Sequence, residues 1–435
     1  MGNYVENYDL IVKKWEPVLV TPAEETKRGI YFLSNVDEDE NLVRTIYCYH
    51  HKKTNDDDPS GVIKNALSKV LVHYHPLAGR LVTTTADEGR LAVDCTGEGV
   101  LFVEAEANCS MGSIDFSKPD AETRGKLVYE IPGVKSIFQI PPLMIQVTKF
   151  KCGGFVLGIS FNHVLADGQA AAEFIVSWAE TARGLPISVP PFLDRTILKA
   201  RTPPKIEFHH SEFDPIEDKS SAVNDFSNEE IMVYKYLKFT PQMIQTAKSK
   251  TTGLLTKPCS SYEALSAFVW RARTRALNTA PDQLTRILLV VNTRGRFEPP
   301  LPKGYFGNAI KFTPAHSLAR DLVDQPLSYV VGLVQEAIRR VNDEHLRSTI
   351  DYNEIRRAIR PLGFTYISST WSGLAFGSTN FGWGEAISTG PVELPVDEGI
   401  LFLPRQEKGK MCMYAFMGLP VSAMGNFEEL VRQIN

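Results

Sequence analysis

The chain has no CxxC pair: its six cysteines, Cys48, Cys95, Cys109, Cys152, Cys259 and Cys412, are scattered singly over 435 residues. That spacing argues against a zinc site and against a secreted disulfide framework, and reads as reduced thiols. No apolar run approaches the roughly 18 residues that a membrane span needs. Positive charge is not in excess, the formal net charge being -4, so a broad nucleic-acid surface is disfavoured and any anionic ligand must meet a local basic cluster. Met1-Gly2-Asn3-Tyr4-Val5-Glu6 lacks a basic-then-apolar leader and puts Glu6 where a myristoylation signal needs Ser or Thr, so a cytoplasmic protein is expected. Familiar catalytic signatures are also missing. There is no G-x-S-x-G elbow, no Walker A loop and no G-x-G-x-x-G after a strand, which removes the main supports for a serine hydrolase, a P-loop protein and a Rossmann dehydrogenase. His50-His51, His73/His75 and His209-His210 lack Cys or acidic partners at ligand spacing, so no metal is expected.

What is present is ordinary globular material, 43% hydrophobic and 23% charged. The length implies at least two cores, with the functional site between them. Asp56-Asp57-Asp58-Pro59-Ser60 is a helix start, followed by Val62, Ile63, Ala66, Leu67, Val70, Leu71 and Tyr74 at helical spacing until Pro76. From Gly154 to Asn162, Phe155, Leu157, Ile159 and Phe161 alternate with Val156, Gly158 and Ser160, which predicts a strand buried on both faces. A helix is expected over Ala170 to Ala182, closed by Arg183-Gly184. Leu185 to about Asn228 is rich in Pro and charge with little periodicity, and reads as a crossover between domains. The expected division is therefore a domain over 1–185, a crossover over 186–228 and a second domain over 229–435. In the last, helices are predicted around Thr240 to Lys250, Tyr262 to Ala276 and Leu327 to Val341, with an apolar strand at Ile287 to Val291. The remainder reads as strands and loops, without internal repeats.

The sharpest chemical feature is His163-Val164-Leu165-Ala166-Asp167-Gly168, placed where a buried strand ends and a helix begins. On the motif alone two readings stand: a general base, or a buried structural histidine with its loop aspartate. His163-x-x-x-Asp167-Gly168 together with Asn380-Phe381-Gly382-Trp383-Gly384 resembles the paired HxxxD and DFGWG signatures of the plant BAHD acyltransferases. Supporting matches run the length of the chain: His75-Pro76-Leu77-Ala78-Gly79-Arg80, Ser260-Ser261-Tyr262-Glu263-Ala264-Leu265, Val291-Asn292-Thr293-Arg294-Gly295-Arg296 and Tyr305-Phe306-Gly307-Asn308.

The resemblance implies an α/β fold of two similar-sized domains related to chloramphenicol acetyltransferase, each a mixed sheet flanked by helices. A channel between them would admit acyl-CoA and acceptor from opposite faces. It implies a monomer with no bound cofactor, acyl-CoA as co-substrate, and a small-molecule alcohol or amine as acceptor, with neither nucleic acid nor a membrane span as partner. His163 would take the proton from the acceptor as it attacks the thioester, with no acyl-enzyme. Asp167 and Gly168 would be structural, Asp167 pairing with an arginine for which Arg294 is the candidate. Ser369, Thr370 and Trp371 match a segment lining the family's reaction chamber, where a donor would meet the oxyanion. Ser260, Ser261 and Thr370 would contact CoA, with Lys257, and with Lys248 and Lys250, as phosphate partners; lysines of a solvated helix face are the other reading. Asn380 departs from the family's aspartate, which implies a weaker ion pair and a retained hydrogen bond at a structural position. Phe381, Gly382, Trp383 and Gly384 fit a tight turn packed on a core.

Within the family, Glu16-Pro17-Val18-Leu19-Val20, Pro22-Ala23-Glu24-Glu25-Thr26 and Tyr31-Phe32-Leu33-Ser34-Asn35 resemble the branch that moves feruloyl and related hydroxycinnamoyl groups to ω-hydroxy fatty acids and fatty alcohols. Asp194-Arg195-Thr196-Ile197-Leu198 and Pro203-Pro204-Lys205-Ile206-Glu207 agree with it. Tyr31 is a candidate for an aromatic-lined donor pocket or for the core. The alternative is transfer to an amine such as a polyamine, or to a small alcohol such as shikimate. Against shikimate, no arginine matching that branch stands between Arg360-Pro361 and Trp371.

Overall fold

A computed structural model describes residues 9–37, 41–51, 57–84, 89–134, 136–219, 230–251, 255, 257–356, 360–407 and 409–434. The chain divides into two compact units. The first comprises Met1–Lys199, Leu301–Asn308 and Gly373–Pro395; the second comprises Ala200–Pro300, Ala309–Ser372 and Val396–Asn435. These limits differ from the sequence-based boundaries at 185 and 229. Residues up to Lys199 belong to the first unit, the described part of the expected crossover beyond them belongs to the second, and 220–229 lie outside the described residues. The segment with Asn380 and Trp383, assigned from sequence to the C-terminal domain, belongs to the first unit.

In the first unit a seven-stranded mixed sheet runs in the order Val12–Lys14, Val100–Ala107, Leu143–Lys149, Phe155–Asn162, Leu42–Tyr49 and Ser388–Pro391, with Val18–Val20 also paired to Val100–Ala107. Val100–Ala107 and Leu143–Lys149 are parallel, and the other pairs are antiparallel. The Phe155–Asn162 strand is buried at every residue, as its apolar alternation predicts. Phe155 stacks on Tyr49 at 4.9 Å, and Phe161 faces Phe174 of the Gly168–Ala182 helix. Its other face carries Val156, which packs with Ile46, Leu127 and Val128. Gly158 sits on that face because a Cβ there would come within 2.1 Å of the Leu127 carbonyl oxygen.

The helix predicted after Asp58 runs over Pro59–Val70, with the Asp58 carboxylate accepting from Gly61 N and Pro59 at its start; Asp56 lies outside the described residues. It packs on the Gly168–Ala182 helix, where the Trp178 indole N–H donates to Ile63 O at 3.0 Å. Gly184 follows that helix at φ +70°, the left-handed conformation that glycine tolerates.

The second unit holds a six-stranded mixed sheet in the order Met232–Phe239, Lys410–Pro420, Gly399–Glu407, Thr365–Thr370, Leu284–Asn292 and Ile310–Leu318. Thr365–Thr370 is parallel to both neighbours. The predicted helices appear at Pro241–Ser249, Ser261–Ala276 and Leu327–Arg339, and their apolar faces join Ile287, Leu289, Phe402 and Met417 of the sheet in one core.

The remainder, expected as strands and loops, also contains helices, of which two are long. Val421–Arg432 buries Ala423, Met424, Phe427 and Val431, a helical spacing that was there to be read. Asp343–Arg356 was hidden because the side it buries is largely polar: His345, Ser348, Thr349, Asp351 and Asn353. The Asp351 carboxylate accepts from Arg201 N, Arg201 Nε and Lys205 N, while Ser348 Oγ accepts from Glu207 N and Phe208 N. This helix therefore satisfies the backbone of the incoming segment while burying only Leu346 and Ile350 as large apolar side chains. The same segment is held by Arg286, which donates to the carbonyls of Ser211 and Asp214, and by the buried Lys311–Glu212 ion pair. Among the described residues no helix is long and apolar enough to cross a membrane.

Candidate active site

His163 follows directly on the buried Phe155–Asn162 strand and is itself only partly buried. The turn that presents it is built locally by Asn162, whose side-chain oxygen accepts from Val164 N at 3.0 Å and whose carbonyl accepts from Leu165 N at 3.0 Å. His163 N donates to Asn41 O at 2.9 Å. Asp167 is 1% exposed, and one of its carboxylate oxygens accepts from Gln169 N at 3.1 Å and Ala170 N at 3.0 Å. It is thus the N-cap of the Gly168–Ala182 helix.

The carbonyls of this loop meet residues that were not singled out from sequence. Asn308 Nδ2 donates to His163 O at 2.8 Å and Val164 O at 3.3 Å, and also to the Asp37 carboxylate at 2.9 Å. Arg195 donates from Nη1 to Val164 O at 3.3 Å, from Nη2 to Leu165 O, and from Nε to Phe306 O at 3.1 Å. Arg195 and Asp37 form an ion pair at 3.0 Å with both side chains 0% exposed. The remaining Asp37 contacts come from Ser34 N and Ser34 Oγ, each at 2.8 Å, and from Asn308 N at 2.9 Å. Burial opposes the charge on Arg195, but Asp37, with Tyr31 and Tyr305, outweighs it and holds the guanidinium above its ordinary pKa. Tyr31 lies under the guanidinium at 5.2 Å and donates its hydroxyl hydrogen to Leu193 O at 2.6 Å. A Cβ on Gly307 would stand 3.0 Å from Arg195 Nε, so a glycine there leaves room for the arginine.

The second motif is joined to the first through the Gly168–Ala182 helix. Trp178 on that helix meets Phe381 edge-on at 5.2 Å, and Trp383 meets Phe155 edge-on at 5.3 Å. Asn380 Oδ1 accepts from Gly382 N at 2.9 Å and Gly384 N at 3.0 Å. Both glycines have positive φ, +117° and +92°, so the acceptor at 380 organises a turn that only they adopt readily. His163, Asp167, Gly168, Asn380, Trp383 and Tyr31 thus all belong to the first unit.

The other residues singled out from sequence lie in the second unit. Ser369, Thr370 and Trp371 stand at the end of the Thr365–Thr370 strand; Thr370 Oγ1 donates to Phe402 O at 3.3 Å and accepts from Ser372 N at 3.0 Å. Ser260 caps the Ser261–Ala276 helix in a capping box with Glu263, so its hydroxyl oxygen is already an acceptor for Glu263 N. Lys257 is exposed. Arg294 follows the Leu284–Asn292 strand, where its backbone N–H donates to the Asn292 side chain at 3.1 Å. Among the described residues no cluster of three or more His, Cys, Asp and Glu is arranged to hold a metal.

Asp37, Arg195 and Asn308 escaped the sequence reading because no local pattern links them. In the sequence Asp37 opens the acidic run Asp37-Glu38-Asp39-Glu40 and Arg195 stands beside Asp194, so neither reads as a buried charge.

The description "Transferase family" belongs to a family model that matches residues 10–433. The chain is 52% identical over 434 residues to the omega-hydroxypalmitate O-feruloyl transferase of Arabidopsis thaliana, covering 98% of this chain and 94% of that protein. It is 48% identical over 432 residues to the fatty alcohol:caffeoyl-CoA acyltransferase of the same plant, covering 98% and 99%. The crystal structure of vinorine synthase shares the fold, with a TM-score of 0.76 at 22% identity over 96% of each chain. A match of this extent, with HxxxD intact at His163 and Asp167, means that the chain belongs to the BAHD transferase family.

Proposed function

We propose that this protein moves a hydroxycinnamoyl group, feruloyl in the first instance, from CoA to the hydroxyl of a long-chain ω-hydroxy acid or fatty alcohol. The observation that carries the acceptor class is near-full-length identity of about half to two acyltransferases named for such acceptors. In the proposed reaction His163 removes the hydroxyl proton as the acceptor oxygen attacks the thioester carbonyl carbon. The tetrahedral intermediate then expels the CoA thiolate, and the imidazolium returns the proton to sulfur, so no acyl-enzyme forms and the base is regenerated. His163 suits this role because it stands on a turn whose backbone is pinned and whose side chain is not wholly buried.

The remaining assignments follow the family resemblance: Ser369 and Trp371 toward the oxyanion, Ser260, Ser261, Thr370 and Lys257 toward CoA, and Asp167, Gly168, Arg294, Asn380 and Trp383 as supports. Tyr31 is better supported as part of the Arg195 site than as a donor pocket, since its hydroxyl and ring are both engaged there. A cytoplasmic monomer without a bound cofactor belongs to the same proposal. An alkyl acceptor is selected by burial, and at about 0.8 kcal/mol per methylene each added CH2 is worth roughly fourfold in affinity.

The test is a competition assay with feruloyl-CoA and a mixture of ω-hydroxypalmitate, a fatty alcohol, shikimate and spermidine, with products identified by mass. An alkyl ester is expected; preference for shikimate or spermidine would overturn the acceptor assignment. His163→Ala should lower turnover about 10²-fold or more, and near-normal turnover would remove the general base.

A further inference from the structure

Three successive carbonyl groups, those of His163, Val164 and Leu165, point at two side chains far away in sequence. Asn308 takes the first two and Arg195 takes the second and third. Both side chains are themselves fixed by a single buried carboxylate, Asp37, which accepts from Arg195, from Asn308 through both its backbone and side-chain nitrogens, and from Ser34 twice. The amide orientation of Asn308 is set by chemistry: every neighbour of Nδ2 is an oxygen acceptor, so only nitrogen fits there. With His163 N on Asn41 O, and Val164 N and Leu165 N on Asn162, every backbone polar group from 163 to 165 has a partner. A loop of this kind has no spare rotation about the bonds flanking His163.

We propose that Asp37, Arg195 and Asn308 form a clamp that sets the direction in which the His163 imidazole leaves the sheet, and are thus positioning residues for the acyl transfer. The proposal rests on His163 being the general base. Its logic is geometric: a base must stand within hydrogen-bond reach of the hydroxyl it deprotonates, and a displacement of about 1 Å costs on the order of 10²-fold in rate. Asp37 makes no contact with the loop carbonyls; it orients the two groups that do. The ion pair also explains why an arginine, with its flat five-donor fork, stands at 195: Nε, Nη1 and Nη2 serve three carbonyls and the carboxylate together.

The experiment compares Asn308→Ala, Asn308→Asp and Arg195→Lys in the full chain with feruloyl-CoA and ω-hydroxypalmitate, and repeats Asn308→Ala in a His163→Ala background. Asn308→Ala should lower kcat about 10- to 100-fold with the KM for feruloyl-CoA little changed. Asn308→Asp should be worse than Asn308→Ala, because it sets a carboxylate against three oxygens. Arg195→Lys keeps the charge beside Asp37 but loses the fork, and should lower kcat while the protein still folds. In the His163→Ala background Asn308→Ala should cost no further activity, since a positioning residue acts through the group it positions. Equal losses in both backgrounds, or parental kcat in Asn308→Ala and Arg195→Lys, would overturn the clamp. Failure of His163→Ala alone to lose activity would instead overturn the general base, so the two ideas fail separately.

Discussion

Removing the side chain at position 380 isolates what the asparagine contributes to the turn that carries Phe381 and Trp383. Asn380→Ala deletes two hydrogen bonds, from Gly382 N and Gly384 N, while leaving in place the contacts of Phe381 with Tyr49 and Trp178 and of Trp383 with Phe155. At about 1 kcal/mol for each neutral bond, the loss is about 2 kcal/mol. In a thermal melt followed by circular dichroism this corresponds to roughly 4–8 °C. Asn380→Asp keeps an acceptor in the same place. Its charge strengthens the two bonds and adds a desolvation cost at a partly buried position, so its stability should fall within about 1 kcal/mol of the parent. Turnover with feruloyl-CoA should stay close to parental in the aspartate variant, because the side chain holds a turn and takes no part in the proposed proton transfers. A parental melting temperature for Asn380→Ala would show that the aromatic contacts alone hold the turn. A large rise in turnover for Asn380→Asp would show that position 380 reaches the chemistry.

Two more expectations concern stability. Asp167→Ala should cost about 1 kcal/mol through loss of the helix cap and Asp167→Asn less, since Asn also caps; equal melting temperatures for all three proteins would refute the capping role. Burial, aided by Arg286 for His316 and by Lys311 and His210 for His345, pushes both imidazoles down to about 4. The unfolded chain binds these protons near pH 6.5, so folding stability should be whole above about 6.5 and decline as pH falls toward 4. For Glu212 burial raises the pKa, but Lys311 outweighs it and brings the carboxyl to about 2, so its contribution should persist to about pH 4.5 and disappear below. Urea midpoints measured across this range should show the decline, and His345→Gln should flatten it between pH 6.5 and 4.

Local chemistry made much of this legible in advance. The Phe155–Asn162 strand announced itself by an apolar residue on both faces, and Ser260-x-x-Glu263 marks the start of the helix that follows. The Asp343–Arg356 helix did not, because its buried side carries Ser348 and Asp351 in the service of another segment's backbone, a purpose that no periodicity encodes. At the site, the spacing of His163 and Asp167 leaves a structural histidine open, and it is the pairing with Asn380 to Gly384 that carries the resemblance singling them out. Arg195 and Asn308 were in view only as parts of longer matching stretches; what they do depends on carbonyl groups of a loop brought near by folding. For Tyr31 the sequence leaves a donor pocket and the core both open, and the structure puts its ring against the Arg195 guanidinium.

The first unit takes its last strand, Ser388–Pro391, and its loop-holding Asn308 from late in the chain. During synthesis at roughly 5–20 residues per second, the edge of Leu42–Tyr49 therefore waits for tens of seconds after it is made before its partner emerges. Until then the ribosome displays an unpaired apolar edge, the kind of surface that pairs with other chains. The histidine turn waits as well, since Asn308 is not yet there to hold it. The first unit is consequently completed only late in synthesis, and a truncated product ending before residue 391 should be inactive and prone to associate.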